Sequence, residues 1–253
     1  MTPARNRCTF DFSGARVLVT GGTSGIGYAI ATAFADANAE VTITGTRPQP
    51  ADYADADLTR FVYVQVDVCD PDAVDRLAAA FDVCDVLVNN AGQSLPSGVD
   101  EWTPEGFALS LDVNLKGAMR LSVGLHGALK ASTMAGGASV VNMVSMTAFR
   151  AKPMVLGYSS AKAGLMALTQ NLALAWLDDG IRVNAVAPGV ILTPMTAPLE
   201  MLPELDAAEM GRVPFPRKGT PEECAAATLF LATEASSYTT GTVLAVDGGY
   251  LAF

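Results

Sequence analysis

Seven short apolar runs recur along the chain, and each gives way to glycine, proline or a polar residue before the next element begins. This alternation of runs with helical stretches constrains the fold more than any other feature. Strands that are apolar throughout must be covered on both faces, and helices between them supply the cover. The expected strands are residues 17–20, 41–44, 61–66, 85–89, 140–144, 181–187 and 242–246. Helices are expected over 26–36, from Asp72 to near Phe81, from Pro104 to about Ala131, over 156–177 up to the stop at Asp178-Asp179-Gly180, and over 222–233. Residues 190–220, with Pro194, Pro198, Pro203, Pro214 and Pro216, read as irregular. Right-handed crossovers then give an α/β fold: a doubly wound parallel seven-stranded sheet with helices on both faces. No repeat, low-complexity linker or composition break interrupts residues 1–253, so one domain is expected.

Half of the 253 residues are hydrophobic and 17% are charged, which suits a large core and opposes disorder. The net charge of −10 repels phosphate backbones and acidic lipid surfaces, so neither nucleic acid nor a membrane is expected as a partner. No run reaches the roughly 18–20 apolar residues of a membrane span. Arg5 and Arg7 are followed by Asp11 and Ser13 before any apolar run forms, so no secretory signal is expected and the cytoplasm is the expected location. Cys8, Cys69, Cys84 and Cys224 are far apart, no CxxC pair occurs and His126 is the only histidine, so no metal site is expected.

Doubly wound sheets bind ligands beyond the C-terminal ends of their strands. The unusual residues collect there: 21–27 after the first strand, 89–92 after the fourth, Ser145 after the fifth, and Pro188-Gly189 after the sixth. In Thr20-Gly21-Gly22-Thr23-Ser24-Gly25-Ile26-Gly27, glycine serves a tight turn, close approach of backbone to a diphosphate, and close packing of helix on strand. Amide groups at the start of the helix then face the anion. The spacing is Gly-x3-Gly-x-Gly rather than Gly-x-Gly-x-x-Gly. A glycine-rich turn by itself could be an ordinary flexible one; its place between the first strand and a helix favours the anion site.

Tyr158 and Lys162 share one face of an expected helix, at i and i+4. An ordinary phenol, with a pKa of about 10, is too weak an acid to exchange protons near neutrality. An adjacent ammonium lowers that value, and the phenol could then protonate an alkoxide or deprotonate an alcohol. Ser145 is placed to donate a hydrogen bond to the same oxygen. An isolated Tyr–Lys pair at this spacing is more often a surface pair; Ser145 and the glycine loop argue against that.

Together these motifs resemble the short-chain dehydrogenase/reductase family, whose cofactor loop carries the Thr-Gly-x3-Gly-x-Gly spacing, and the resemblance runs through nearly the whole chain. It implies a Rossmann-like fold and an NAD(P)-dependent oxidoreductase that moves a hydride between nicotinamide and a ketone or secondary alcohol. It implies a catalytic set of Ser145, Tyr158, Lys162 and Asn114, the last in Asp112-Val113-Asn114-Leu115, where the family's Asn holds a water in a proton relay through the Lys. Asn114 by chemistry alone has no assigned role. Asn90, Ala91 and Gly92 resemble the family's adenine-side turn, and Asp67-Val68 its adenine contact at the end of strand three. Pro188, Gly189, Val190 and Thr193 resemble the nicotinamide-side loop, and Asp247-Gly248-Gly249 the C-terminal signature. Gly21, Thr23, Ser24, Gly25, Ile26 and Gly27 complete the expected cofactor set with Tyr158 and Lys162.

NAD-selective dinucleotide folds place an acid after strand two. Gly45 stands there, and Thr46, Arg47 and Ser24 could meet a 2′-phosphate, so NADP(H) is favoured over NAD(H). The expected substrate-side residues are Ser145, Gln93, Leu95, Phe149, Met154, Val155, Ile191, Leu192 and Met195, an apolar set that suits a small apolar ketone or alcohol. Two other readings remain: a 3-oxoacyl-[acyl-carrier-protein] reductase-like enzyme, which the acidic charge disfavours, and a non-catalytic nucleotide-binding regulator, which retention of Ser145, Tyr158 and Lys162 disfavours. The family commonly forms tetramers, and Tyr250-Leu251-Ala252-Phe253 would suit burial in a homotetramer interface.

Overall fold

The computed structural model describes residues 8–95 and 98–252; Arg5, Arg7 and Phe253 lie outside them. Strands β1 (Arg16–Val19), β2 (Glu40–Gly45), β3 (Val62–Gln65), β4 (Val86–Asn89), β5 (Ala138–Met143), β6 (Ile181–Pro188) and β7 (Val243–Val246) form one sheet in the order β3-β2-β1-β4-β5-β6-β7. Every neighbouring pair is parallel. The chain builds outward from β1 to β3, crosses back, and builds the other way from β4, so the switch point lies between β1 and β4.

Successive strand residues point to opposite faces, and both faces are apolar. On one, Val17, Ile43, Val88 and Val141 pack with Ile30 and Phe34 of α1 (Gly25–Asp36) and Leu229 of α9 (Pro221–Ala232). On the other, Leu18, Leu87 and Val140 pack with Leu77 of α2 (Pro71–Ala79), Leu121 of α4 (Gly117–Gly124), Leu129 of α5 (His126–Lys130) and Ala173 of α6 (Leu156–Ala175). Each such fully buried Leu, Ile or Phe contributes roughly 1.5–3 kcal/mol. The edge strands depart from the expectation of full cover. Val62 of β3 is 63% exposed and β7 is only half-buried, because the helical layers thin out at the margins of the sheet.

Two expected segments are organised differently. The stretch from Pro104 to Ala131 is not one helix: α3 (Pro104–Leu111) passes into a π turn (Asp112–Lys116) before α4 and α5. The Gly117 amide reaches back to the Asp112 carbonyl, and a Cβ on Gly117 would lie 2.8 Å from Val68 Cβ, so close packing on Val68 holds the wide turn. Residues 190–220 contain α7 (Ala197–Glu200) and α8 (Pro203–Met210). Pro198 and Pro203, read as breakers, stand in the first turns of these helices, where a missing N–H costs nothing. Two surface grooves, of about 350 and 580 Å³, lie at the β3–α2 edge and at the end of the sheet where β1 begins; neither is lined by a residue predicted to bind or react.

Gly27 is where α1 comes closest to the switch point. A Cβ there would collide with the Gly21 carbonyl and the Asn90 amide, and a backbone carbonyl cannot rotate away as a side chain can. Gly27→Ala is expected to destabilise the protein by about 1–3 kcal/mol, read as a lowered midpoint in denaturant unfolding; a midpoint equal to wild type would contradict this close approach.

Candidate active site

The site starts from the lock between the two switch-point loops. Thr20 Oγ1 accepts the amides of Asn90 and Ala91, each at 3.0 Å, and donates to the Val88 carbonyl at 3.3 Å. Asn90 Nδ2 donates to the Thr20 and Gly21 carbonyls at 2.9 and 3.1 Å. The glycine turn is thereby fixed on the strip 90–92. Gly21 and Gly25 both adopt left-handed backbone, with φ of 63° and 52°, which only glycine adopts freely. Ser24 precedes α1 in extended conformation and makes no side-chain cap, and no acid stands in the first turn. The first-turn amides of this 12-residue helix therefore have no side-chain partner, which fits the diphosphate of a dinucleotide. Thr193 lies opposite, its Cβ 3.4 Å from where a Gly25 Cβ would stand. Pro188 and Gly189 hold that facing loop to the end of β7, where a Gly189 Cβ would come within 2.7 Å of Asp247 Cα.

At the end of β2, Gly45 leaves a gap that Tyr53 fills: a Cβ at Gly45 would run into the Tyr53 hydroxyl. The Arg47 amide donates to that hydroxyl at 2.9 Å, and its guanidinium lies 4.9 Å from the Tyr53 ring centroid. Thr46, Arg47 and Ser24 are exposed around this point. Tyr53 sits in a polar stretch with no periodicity, so the sequence offered nothing to single it out.

The second half of the site lies beyond β5. Ser145 caps a short 3-10 turn (Met146–Ala148), accepts the Thr147 amide at 3.2 Å and stands near enough to the half-buried Tyr158 hydroxyl to act on its pKa. Burial raises the Tyr158 pKa; the Ser145 hydroxyl opposes the rise, and the negative charge of Glu101 adds to it. Lys162 is 3% exposed, and its Nζ donates to the Met143 carbonyl at 2.7 Å and lies 5.5 Å from the Tyr158 ring centroid. The expected lowering of the phenol by Lys162 is therefore corrected for this arrangement. The ammonium is committed to a carbonyl and faces the ring, while burial outweighs the Ser145 hydroxyl. A Cβ on Gly92 would stand 2.8 Å from Asn114 Oδ1 and 3.1 Å from Lys162 Nζ, so the strip 90–92 joins the glycine turn to Lys162.

Several predicted residues play other parts. Asn90 locks the glycine turn, both its Nδ2 bonds going to backbone carbonyls. Asn114 is 1% exposed: its Oδ1 accepts the Gln93 amide at 2.9 Å, and its Nδ2 donates to the Gln93 and Ser110 carbonyls at 2.9 and 3.0 Å. Its side chain positions the loop at Gln93 and spends both Nδ2 hydrogens on main-chain carbonyls. Asp67 is exposed and accepts the Cys69 amide, while Val68 packs on Gly117. Val190 is buried with Met146, Val213 and Tyr250, so only its main chain could meet a ligand. Ile191 is not a pocket liner; it is 3% exposed within the core that α1 and α9 cover. Leu95, Phe149, Met154, Leu192 and Met195 are exposed apolar side chains on the loops around Tyr158, Val155 is half-buried and Gln93 is exposed. Trp102, which sequence reasoning passed over, is 65% exposed and donates from Nε1 to the Pro153 carbonyl at 3.0 Å, tying two of these loops together.

Residues 21–251 match the family described as enoyl-(acyl carrier protein) reductase. The cis-4-hydroxycyclohexanecarboxylate dehydrogenase of Sinomonas cyclohexanicum is 38% identical over 243 residues, 93% of this chain and 96% of that one. The chain belongs to the short-chain dehydrogenase/reductase family. A 3alpha-hydroxysteroid dehydrogenase of Mediterraneibacter gnavus is 35% identical, covering 91% of this chain and 94% of its own. Among solved structures, a candidate 2-deoxy-D-gluconate 3-dehydrogenase from Agrobacterium tumefaciens with bound NADP superposes with a TM-score of 0.85 at 34% identity, over 98% of this chain and all of that one. As a family member the protein is an NAD(P)-dependent oxidoreductase acting on hydroxyl and carbonyl groups, which sets aside the non-catalytic reading.

In this short-chain dehydrogenase/reductase, burial pushes Lys162 down from 10.5 to about 8. Between those values the unfolded chain holds the proton more tightly than the native one, so stability rises with pH across that window; below about pH 8 the buried ammonium costs stability in full. Lys162→Met removes this term. The unfolding midpoint of the variant relative to wild type is expected to be highest near pH 7 and to fall toward pH 10. A difference that does not change with pH would contradict the buried, weakened ammonium.

Proposed function

We propose that the protein interconverts a small apolar secondary alcohol and the corresponding ketone, with Tyr158 giving and taking the proton and Ser145 holding the substrate oxygen. The observation that carries this is the grouping of Ser145 and Tyr158 beside Lys162, whose Nζ lies 5.5 Å from the Tyr158 ring centroid, joined through Gly92 and Asn90 to the glycine turn. Bound nicotinamide supplies or accepts the hydride. Around it, the α1 amides and Thr193 would hold the dinucleotide, Lys162 would hold charge beside the phenol ring, and Ser145 would donate to oxygen as negative charge develops there. In the reductive direction the Tyr158 proton passes to the alkoxide; in the oxidative direction the alcohol proton returns to the phenolate.

The exposed apolar side chains at Leu95, Phe149, Met154, Leu192 and Met195 favour an apolar substrate. Two relatives named for alcohols on saturated rings, the hydroxycyclohexanecarboxylate and hydroxysteroid dehydrogenases, support an alicyclic one. NADP(H) is favoured over NAD(H) because Gly45 offers no carboxylate to repel a 2′-phosphate and Arg47 is exposed beside it; the Agrobacterium neighbour binds NADP. A cytoplasmic location accords with cysteines that form no disulfide among the described residues. A homotetramer accords with the exposed Met119 and Val123 on α4 and Leu174 on α6, apolar helix positions that a partner subunit would cover.

Tyr158→Phe tests the central assignment. With a panel of cyclic ketones and alcohols, turnover is expected to fall by about 10²–10⁴-fold, while NADPH binding, followed by nicotinamide fluorescence, stays near wild type. Turnover close to wild type would remove Tyr158 from the chemistry. On the same panel, kcat/KM with NADPH is expected to exceed that with NADH, and the reverse order would reject the cofactor preference.

A further inference from the structure

Glu101 is the most deeply buried acid among the described residues, and nothing in the proposed chemistry uses it. It is 1% exposed, yet among the described residues no ion pair reaches it. Its charge is instead met by three hydrogen-bond donors from three different segments. Oε1 accepts the Leu95 amide at 2.9 Å and the Ser110 hydroxyl, on α3, at 3.0 Å. Oε2 accepts the Tyr158 amide at 2.9 Å, in the first turn of the 20-residue helix α6.

A buried carboxylate without a cation is expensive unless donors surround it, and this one is placed where a helix N-terminus favours negative charge. The sequence makes room for it. Gly157 has no Cβ; one there would stand 2.7 Å from Ser110 Cβ and 3.3 Å from Glu101 Oε2, pushing α6 off the carboxylate. At the other end Leu95 is held with φ of 48°, left-handed backbone that a leucine rarely adopts and that needs an outside hold. The neighbouring Trp102 ties the same turn to Pro153. An apolar residue could fill the volume of Glu101 but could not accept these amides, so the carboxylate fixes geometry that packing alone would leave loose.

We infer that Glu101 is a positioning residue for the reaction: its two carboxylate oxygens join the substrate-side loop at Leu95 to the backbone of Tyr158, so that the phenol and the substrate are held in one register. This rests on the reading of Tyr158 as the proton donor and acceptor. Glu101 touches neither the glycine turn nor the α1 amides, so its effect falls on turnover rather than on cofactor binding. A displacement of the phenol by a fraction of an ångström lowers the rate at unchanged cofactor affinity.

Glu101→Gln keeps the shape but replaces one acceptor oxygen with an NH2 group, so either the Leu95 or the Tyr158 amide faces a donor. The expected result is a fall in kcat of about tenfold or more with the NADPH dissociation constant within about twofold of wild type. Glu101→Asp keeps both acceptor oxygens on a shorter side chain and is expected to recover part of the lost kcat. If the Gln variant does not fold, the Asp variant decides by the same comparison of kcat with NADPH binding. A folded Gln variant with wild-type kcat overturns the inference, as does a parallel loss of NADPH affinity and kcat in either variant, which would mark a general structural role. Tyr158→Phe is measured alongside. If it is inert while Glu101→Gln is fully active, Glu101 alone is overturned; if it keeps turnover, the reading of Tyr158 falls and the inference with it.

Discussion

Thr20 Oγ1 is 2% exposed territory shared by two loops: it accepts the amides of Asn90 and Ala91 and donates to Val88. Through this one hydroxyl the turn after β1 and the turn after β4 become a single surface at the switch point. The rest of the site is referenced to it. Gly27 lets α1 come down onto that surface, Gly92 passes it on to Lys162 and Asn114, and Lys162 lies beneath the Tyr158 ring. The steps combine close approaches to glycine with buried side chains held on main-chain groups, so the distance from the diphosphate shelf to the phenol is set by the fold.

The site is also where the molecule departs from good packing. The sheet is mostly apolar on both faces, with a few buried polar residues such as Asn89 and Asn142, and beside the site Lys162, Glu101 and Asn114 are buried as well. Main-chain groups meet most of their polar atoms: Lys162 bonds to the Met143 carbonyl, Glu101 to two amides and the Ser110 hydroxyl, and Asn114 to both ends of Gln93 and the Ser110 carbonyl. Buried polar groups satisfied in this way confer rigidity at a cost in desolvation. The core of the sheet, with its continuous buried strands β4, β5 and β6, supplies the stability that offsets that cost.

The sequence showed the sheet because its strands are short apolar runs ended by glycine, proline or polar residues and separated by helical stretches, and it showed the glycine turn because three glycines between a strand and a helix leave few alternatives. Tyr158 and Lys162 were legible as a helical pair. What was not legible depends on contacts between distant segments. Glu101, next to a helix-starting Trp-Thr-Pro, looks like any solvated turn acid until α6 closes over it. The lock that Asn90 forms on the glycine turn shows only once its two carbonyl partners are seen. Ile191 follows a proline-glycine turn and reads as pocket lining, but it folds back under the sheet. The π turn at 112–116 follows from Gly117 packing on Val68, two residues far apart in the chain.

The claim on which these relations turn is that the Thr20 hydroxyl holds the cofactor shelf together. Thr20→Val changes little volume and removes only the hydroxyl, so it separates the lock from the packing. Titrating the folded variant with NADPH and following nicotinamide fluorescence measures the shelf directly. The account predicts a dissociation constant raised about tenfold or more, the equivalent of roughly 1.4 kcal/mol, with the overall secondary structure unchanged. Binding as tight as wild type would contradict it.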